Sequence, residues 1–150
     1  MNKNNLMIAG ALGAALSLAV AGGAALAHHA FAAEFDGKAP VLLRGKVTRV
    51  EWINPHAWVH VANVNPDGTT TAWMVEGGTP NTLLRSGIDR NSLKPGTEII
   101  VRGYQSKDKL CRPACKANGR DVTFPEGTKL FMGSSGTGAP VDGSDASEKK

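Results

Sequence analysis

The sequence predicts a small all-β domain with one short helix, arranged as a five-stranded OB-like Greek-key barrel. Short β-rich segments follow one another between Pro/Gly turns, and a single helical segment falls between the third and the fourth of them. The first segment changes the parity of its apolar positions, as a strand that bends through both halves of a small barrel must do. A β-sandwich needs about seven strands, which is more than the sequence provides.

The first 27 residues have the pattern of a secretory signal peptide. Lys3 supplies a short positive region, residues 6–27 are uncharged and rich in Ala, Leu and Gly, and the stretch ends in a small-x-small pattern. An uncleaved membrane anchor is the alternative, since the apolar run is nearly long enough to span a bilayer. The Ala-x-Ala ending favours cleavage after Ala27. We therefore expect a periplasmic protein that begins at His28 and keeps no stable membrane anchor.

The rest of the chain is long enough for one small domain with a segment on either side. Residues 28–40 are predicted to form an N-terminal arm that pins Phe31 and Phe35 on the domain. Residues 41–132 are predicted to form the barrel. Residues 133–150, which are rich in Gly, Ser, Asp and Lys, are predicted to be a disordered tail.

The first strand is predicted over residues 41–52. Its inward positions follow one parity and then shift by one residue before the end, in the order Val41, Leu43, Gly45, Val47 and then Val50, Trp52. Because side chains alternate with period two, this shift predicts a bulge or a sharp bend, and Gly45 suits the bend.

A hairpin follows the Asn54-Pro55 break. The second strand covers residues 57–64, the third covers residues 69–76, and Asn65-Pro66-Asp67-Gly68 is the turn between them. On the second strand, alternation puts Ala57, Val59 and Val61 on one face and Trp58, His60 and Ala62 on the other.

The helix is predicted from Pro80 to about Ser86, with Thr79 as N-cap and Gly87 as C-cap. Further strands are predicted over residues 98–104, 120–124 and 129–132, separated by turns and by a loop that is rich in lysine and carries both cysteines.

Charge and cysteine content narrow the class of protein. Without Lys3 the formal net charge falls from +4 to +3, and the basic residues are spread along the chain, which disfavours a nucleic-acid-binding surface. In an oxidising compartment Cys111 and Cys115 are most simply a disulfide. The alternative is a pair of thiolates that bind copper.

Several segments resemble one family of exported bacterial proteins. They include the HHAF motif at the start of the arm, RGKVTRVEWINPHAWVHV, WMVEGG, LKPGTEIIVRGY and GRDVTFPEGTKLFMG. This family is uncharacterised and is labelled as a domain of unknown function, and the resemblance covers residues 27–133. It implies a periplasmic location and an OB-like barrel, but no established activity.

The four histidines all lie between positions 28 and 60. Cleavage after Ala27 makes His28 the N-terminal residue, so that its amine and ring, together with His29, provide nitrogen ligands that suit copper or zinc. The alternative is that both are solvated residues at a frayed end.

His56 and His60 are the further candidate metal ligands. On one regular strand they lie about 13 Å apart, whereas two imidazoles on one metal ion lie within about 4 Å. We therefore expect them to share a site only if the Asn54-Pro55 break folds His56 back. Otherwise His56 is expected to cap the turn.

A ligand groove is the second candidate site, because the face of strands two and three is the usual binding face of an OB barrel. By parity, Trp58 and His60 share this face with Ala72, Met74 and Glu76, while Trp73 and Val75 point inward. Packing of Trp58 and His60 beneath the N-terminal arm is the alternative.

No catalytic constellation is evident, so we expect a protein that is not an enzyme. The sequence favours a periplasmic binding or accessory protein for a metal ion such as copper, or for a small ligand, with Met74 as a soft contact. The alternative is an interaction module that holds a peptide or partner protein in the Trp58/His60 groove without a metal. An oxidoreductase accessory acting through Cys111 and Cys115 is a third hypothesis.

Overall fold

The structure, a computed structural model, describes residues 31–133. The predicted signal peptide, its cleavage site, His28, His29 and residues 134–150 of the predicted tail lie outside this range. The strands and the helix are β1 (Phe35–Glu51), β2 (Trp58–Val64), β3 (Thr70–Glu76), α1 (Pro80–Arg85), β4 (Glu98–Ser106), β5 (Cys115–Thr123) and β6 (Lys129–Phe131). A helical turn at residues 31–34 precedes β1. In this part of the chain no helix is both long and apolar enough to span a bilayer.

The strands close into a ring. β1 pairs antiparallel with β2 and β4, β2 pairs with β3, and β4 pairs with β5. The parallel pairing of β3 with β5 completes the ring. β6 pairs with the last residues of β5, beyond the stretch that β3 occupies. The predicted small all-β barrel is therefore confirmed, with a helical turn at residues 31–34 in addition to the predicted helix, and with β6 as an addition to the ring of five strands.

β1 bends through both halves of the barrel, as its change of parity predicts. It pairs with β4 as far as Lys46 and with β2 from Gly45 onward, and the β2 ladder is irregular between Val47 and Arg49. A Cβ on Gly45 would lie 1.9 Å from the carbonyl oxygen of Ala62, so the close approach of two backbones requires glycine here. The start of β1 differs from the prediction, because it lies at Phe35, within the segment predicted to be an arm.

The helix is capped almost as the sequence predicts. Thr79 is the N-cap, and its side chain accepts a hydrogen bond from the Thr82 backbone N–H. The C-cap is Ser86 rather than Gly87. Gly87, with φ of 86°, is the next residue and supplies the left-handed conformation of a Schellman motif.

The barrel interior holds one apolar core. Its members are buried side chains from five strands, the helix and the loops: Leu43, Val47, Ala57, Val59, Val61, Val75, Leu83, Ile88, Leu93, Ile99, Val101, Val122, Phe124 and Met132. Each large aliphatic side chain buried in this way contributes about 1.5–3 kcal/mol relative to an exposed one. The inward parity predicted for Ala57, Val59 and Val61 is confirmed.

β5 begins at Cys115, five residues before the predicted start, and the predicted disulfide between Cys111 and Cys115 is confirmed. The residues Cys115–Gly119 include Lys, Asn and Gly, which have little β propensity. They form a strand because β3 pairs with residues 115–118 on one side and β4 with residues 117–123 on the other. Tertiary pairing therefore overrides local preference here.

A buried ion pair joins β4 to β5. Arg102 pairs with Asp121 and Gly103 with Gly119, so Arg120 is an extra residue in the ladder. The Asp121 carboxylate, which is fully buried, accepts hydrogen bonds from Arg102 Nε at 3.0 and 2.9 Å. Because a buried carboxylate needs such partners, this pair has a structural role in the barrel wall.

Candidate functional site

The outer face of β2, β3 and β5 carries the residues that the sequence predicts for a groove. The pairing places Trp58 opposite Glu76, and His60 opposite Met74. On the other side of β3, Glu76 lies opposite Asn118, and Met74 lies opposite Lys116. The predicted sharing of one face by Trp58, His60, Met74 and Glu76 is therefore confirmed, whereas their use as a ligand groove stays a prediction.

His56 and Glu76 meet at the corner that precedes β2. Asn54 and Pro55, joined by a cis peptide bond, form this corner. His56 Nδ1 is buried, makes no hydrogen bond, and lies 3.8 Å from Glu76 Oε1. The expectation that His56 caps the turn is wrong, because its ring faces the carboxylate of Glu76 instead.

Backbone hydrogen bonds hold this corner against the end of β3. The Ala57 N–H donates to the Gly78 carbonyl at 2.9 Å, and the Gly77 N–H donates to the Ala57 carbonyl at 2.8 Å. These bonds keep the preceding residues, His56 and Glu76, side by side and so fix the spacing of the pair.

The Glu76 carboxyl group has a perturbed protonation equilibrium. Burial raises its pKa above the ordinary value of 4.5, and the nearby Glu34 carboxylate adds to this rise. His56, Lys116 and a hydrogen bond from Asn118 at 3.3 Å act in the opposite direction. Burial is the largest cause, so the neutral form of Glu76 is favoured over a wider pH range than that of an exposed glutamate.

Lys116 connects this face to the segment that precedes β1. Its Nζ lies 5.0 Å from the centroid of the Trp58 ring and 5.9 Å from that of Phe35, and it forms an ion pair with Glu34. Phe31 lies 5.6 Å from Tyr104 in an edge-to-face contact, and both rings are buried. The helical turn at residues 31–34 is thus packed on the barrel wall beside Trp58 and Glu76.

His60 belongs to a separate polar group at the end of β1. Its Nε2 lies 2.9 Å from Glu51 Oε1 and 3.1 Å from Arg49 Nη2, and Arg49 and Glu51 form an ion pair at 2.6 Å. Trp58 is opposite Glu51 on β1 and opposite Glu76 on β3, so it separates the two His–Glu pairs. His56 and His60 therefore have different carboxylate partners, in agreement with the strand geometry.

The donor atoms on this face are too few to hold a metal ion by themselves. Among residues 31–133 no group of three or more His, Cys, Asp or Glu side chains is arranged to hold one. The His56–Glu76 spacing of 3.8 Å nevertheless suits two ligands of a single ion, given bonds of about 2 Å to each. The thiolate alternative for Cys111 and Cys115 is wrong for this oxidised form, because both sulfurs are in the disulfide.

Comparison with protein families identifies the family of this chain. The model of a family of unknown function, DUF6152, matches residues 15–112. The chain belongs to this family. No curated protein matches the chain.

The DUF6152 match includes both His–Glu pairs and Trp58, and it ends before Lys116 and Asn118. The predicted membership of a family of unknown function is thereby confirmed. The DUF6152 description assigns no activity, so export and the roles of the histidine motifs stay predictions.

Sequence reasoning missed three residues of this site, namely Glu34, Lys116 and Asn118. Asn118 and Lys116 come to this face only because β5 closes the ring against β3, and that parallel pairing has no local signal. The His56–Glu76 pair had a partial signal, since Glu76 was assigned to the groove face and His56 to the corner beside it.

Proposed function

We propose that this member of the DUF6152 family is an exported, periplasmic binding protein for a divalent metal ion, with copper as the first candidate. The observation that carries the proposal is the His56–Glu76 pair, in which a buried Nδ1 without a hydrogen bond lies 3.8 Å from a carboxylate oxygen. A buried nitrogen with no partner costs free energy unless something binds it. A metal ion between the two groups would satisfy both.

The remaining ligands in this proposal come from the mature N-terminus. After cleavage at Ala27, His28 provides an amine and an imidazole, and His29 a second imidazole. Phe31 is packed on Tyr104, and three residues span at most about 10 Å, so a chain that begins at His28 is long enough to reach this wall of the barrel. Glu34 supports the same placement, because its carboxylate acts on the pKa of Glu76.

The donor set favours copper(II) or zinc over hard cations. Imidazole and amine nitrogens with one carboxylate suit these ions, and copper(II) binds such sites most tightly among the common divalent ions. His60 is not in this ligand set, since its Nε2 contacts Glu51 and Arg49. Met74, which lies opposite His60, is likewise a neighbour of the second pair and not of the proposed ligands.

The proposal is tested with processed protein that begins at His28, by calorimetric titration with copper(II) and zinc(II). Glu76→Gln removes the carboxylate from the proposed site, and Glu51→Gln makes the same change in the other His–Glu pair. We expect Glu76→Gln to weaken binding by at least about tenfold and Glu51→Gln to leave it unchanged. Equal affinities in the two variants would refute the site.

A second arm of the experiment tests the N-terminus. One alanine added before His28 keeps both imidazoles but moves the amine away from the site. We expect this extension to weaken binding by at least about tenfold as well. Unchanged affinity would remove the terminal amine from the proposal, and intact mass of the exported protein checks that His28 is the first residue.

The alternative function, a peptide- or partner-binding groove at Trp58 and His60, has no observation of its own in its favour. Lys116 already lies over the Trp58 ring, and His60 is engaged by Glu51. It stays a prediction from the sequence.

A further inference from the structure

A cavity of about 390 Å³ lies on the wall of the barrel formed by β1, β4 and β5. Its floor is the ladder in which Arg44 pairs with Ile100, Gly45 with Ile99 and Lys46 with Glu98. Val64, at the end of β2, and Phe124–Pro125, which follow β5, form the sides. None of these residues belongs to the His56–Glu76 site. The volume is within the range of about 300–1,000 Å³ that is typical of small-molecule sites.

The lining combines apolar side chains with one cation that lacks a partner among residues 31–133. The Arg44 guanidinium makes no hydrogen bond or ion pair in this part of the chain. Its backbone N–H is held by Asn63 Oδ1 at 2.7 Å, so the strand that carries it is firmly positioned. The backbone of Arg44 is therefore held in place, and its side chain offers hydrogen-bond donors beside an apolar surface.

The second cation, Lys46, is paired only weakly. Its Nζ lies 3.6 Å from Glu98 Oε1, and both side chains are more than 60% exposed. Such exposed pairs are weak, so Lys46 can turn toward a bound anion at little cost. Among residues 31–133, the lining therefore carries two cations, Arg44 and Lys46, and one carboxylate, Glu98.

Part of the apolar lining is exposed to solvent. Val64 is 57% exposed, and Pro125 is exposed as well. The half-buried Ile100 continues this surface around Arg44, whereas Phe124 lines the cavity but is largely buried in the core. A ligand body that covers these side chains removes apolar area from water, which favours binding.

We propose that this cavity binds a small amphiphilic anion, in which a carboxylate or sulfonate contacts Arg44 and an apolar body lies against Val64, Ile100 and Pro125. The charge of the cavity selects an anion, because a cationic amphiphile would meet two like charges. The apolar lining selects against small inorganic anions, which would leave it exposed. This site is independent of the metal proposal, and either can fail without the other.

The test uses decanoate as the probe, titrated into processed full-length protein and followed by amide chemical shifts. We expect shifts at Ile100 and Thr123, saturable binding of decanoate, and no comparable binding of decanol or decylamine. Equal binding of decanol would refute recognition of the anion. Shifts confined to residues outside the cavity would refute the site.

Two variants with the same chemical change complete the test. Arg44→Gln removes the cation from the cavity, whereas Arg85→Gln removes one from the helix. We expect Arg44→Gln to weaken decanoate binding about tenfold, since a hydrogen bond to a charged group is lost, and Arg85→Gln to have no effect. The same affinity in both variants would overturn the proposal.

A third variant, Val64→Trp, tests the apolar part of the cavity. Its large side chain at an exposed strand end should fill the cavity and abolish binding. Retained affinity in a folded Val64→Trp protein would count against the site.

Discussion

His56 Nδ1 and Glu76 Oε1 face each other at 3.8 Å without a hydrogen bond between them, although the Nδ1 atom is buried and the Glu76 side chain is largely removed from solvent. This distance is too long for a hydrogen bond and suits two ligands of one ion. Trp58 separates this pair from a second one, His60 and Glu51, in which the atoms are 2.9 Å apart. The two pairs provide a matched comparison within one barrel wall.

The raised pKa of Glu76 predicts a pH dependence of stability. Its folded-state pKa is raised mainly by burial, so the folded protein holds the proton at pH values where the unfolded chain has lost it. The stability from this group is fully present below about pH 4.5 and is lost as the pH rises through the folded-state pKa. We expect urea unfolding in metal-free buffer to reveal this loss in the native protein.

Glu76→Gln is the control for that prediction, because glutamine is uncharged at every pH. The variant should lack the component of the pH profile that lies above pH 4.5, while His56, Glu34 and Lys116 remain around the site. The pKa values of Asp67, Asp89 and Asp108 are lowered from the ordinary value of 3.8. These three groups therefore change the stability at a lower pH than Glu76 does. Identical profiles for the native protein and the variant would contradict the burial of an ionisable Glu76.

Lys116→Met should loosen the segment that precedes β1. The variant loses the contact of the ammonium group with the Trp58 ring and the ion pair with Glu34. Because Lys116 is about one-third exposed, we expect a loss of about 1 kcal/mol in the free energy of unfolding. Lys38→Met, an exposed change on β1, should cost much less. Equal losses in chemical denaturation would show that Lys116 has no special role.

Gly45→Ala should be severely destabilising, because its Cβ would lie 1.9 Å from the Ala62 carbonyl oxygen in a closely paired backbone. We expect a loss of at least about 3 kcal/mol in the free energy of unfolding, or failure to fold. Gly68→Ala is the comparison, since it has φ of 83° and open space around it and should cost about 1 kcal/mol. A Gly45 variant as stable as the Gly68 variant would contradict the close approach of β1 to β2.

Replacing both cysteines by serine should have a modest effect. The ring closed by Cys111 and Cys115 is short, so the chain-entropy contribution is about 2 kcal/mol. We also expect faster hydrogen exchange at Lys116 and Ala117, because the disulfide lies at the start of β5. Unchanged hydrogen exchange at Lys116 and Ala117, together with a loss in the free energy of unfolding much larger than about 2 kcal/mol, would indicate a different role for the disulfide.

Local patterns predicted much of the barrel. The parity shift in β1 predicted the irregularity between Val47 and Arg49, because alternation of side chains is a property of the strand itself. The Thr79 cap and the β2–β3 hairpin also follow from neighbouring residues, and both were located correctly. The start of β5 could not be found in this way, since Cys115–Gly119 form a strand only between β3 and β4.

The sequence by itself determined the order of the elements, the bend of β1, and which face of β2 carries Trp58 and His60. These features depend on turn residues and on period-two alternation, which act over a few positions. The tertiary structure decided that His56 faces Glu76, that His60 faces Glu51, and that Lys116 lies over Trp58. The two His–Glu pairs depend on the register between neighbouring strands and on the fold of the corner at residues 54–56. The Lys116–Trp58 contact forms only because β5 pairs with β3 and closes the ring, which no local pattern specifies.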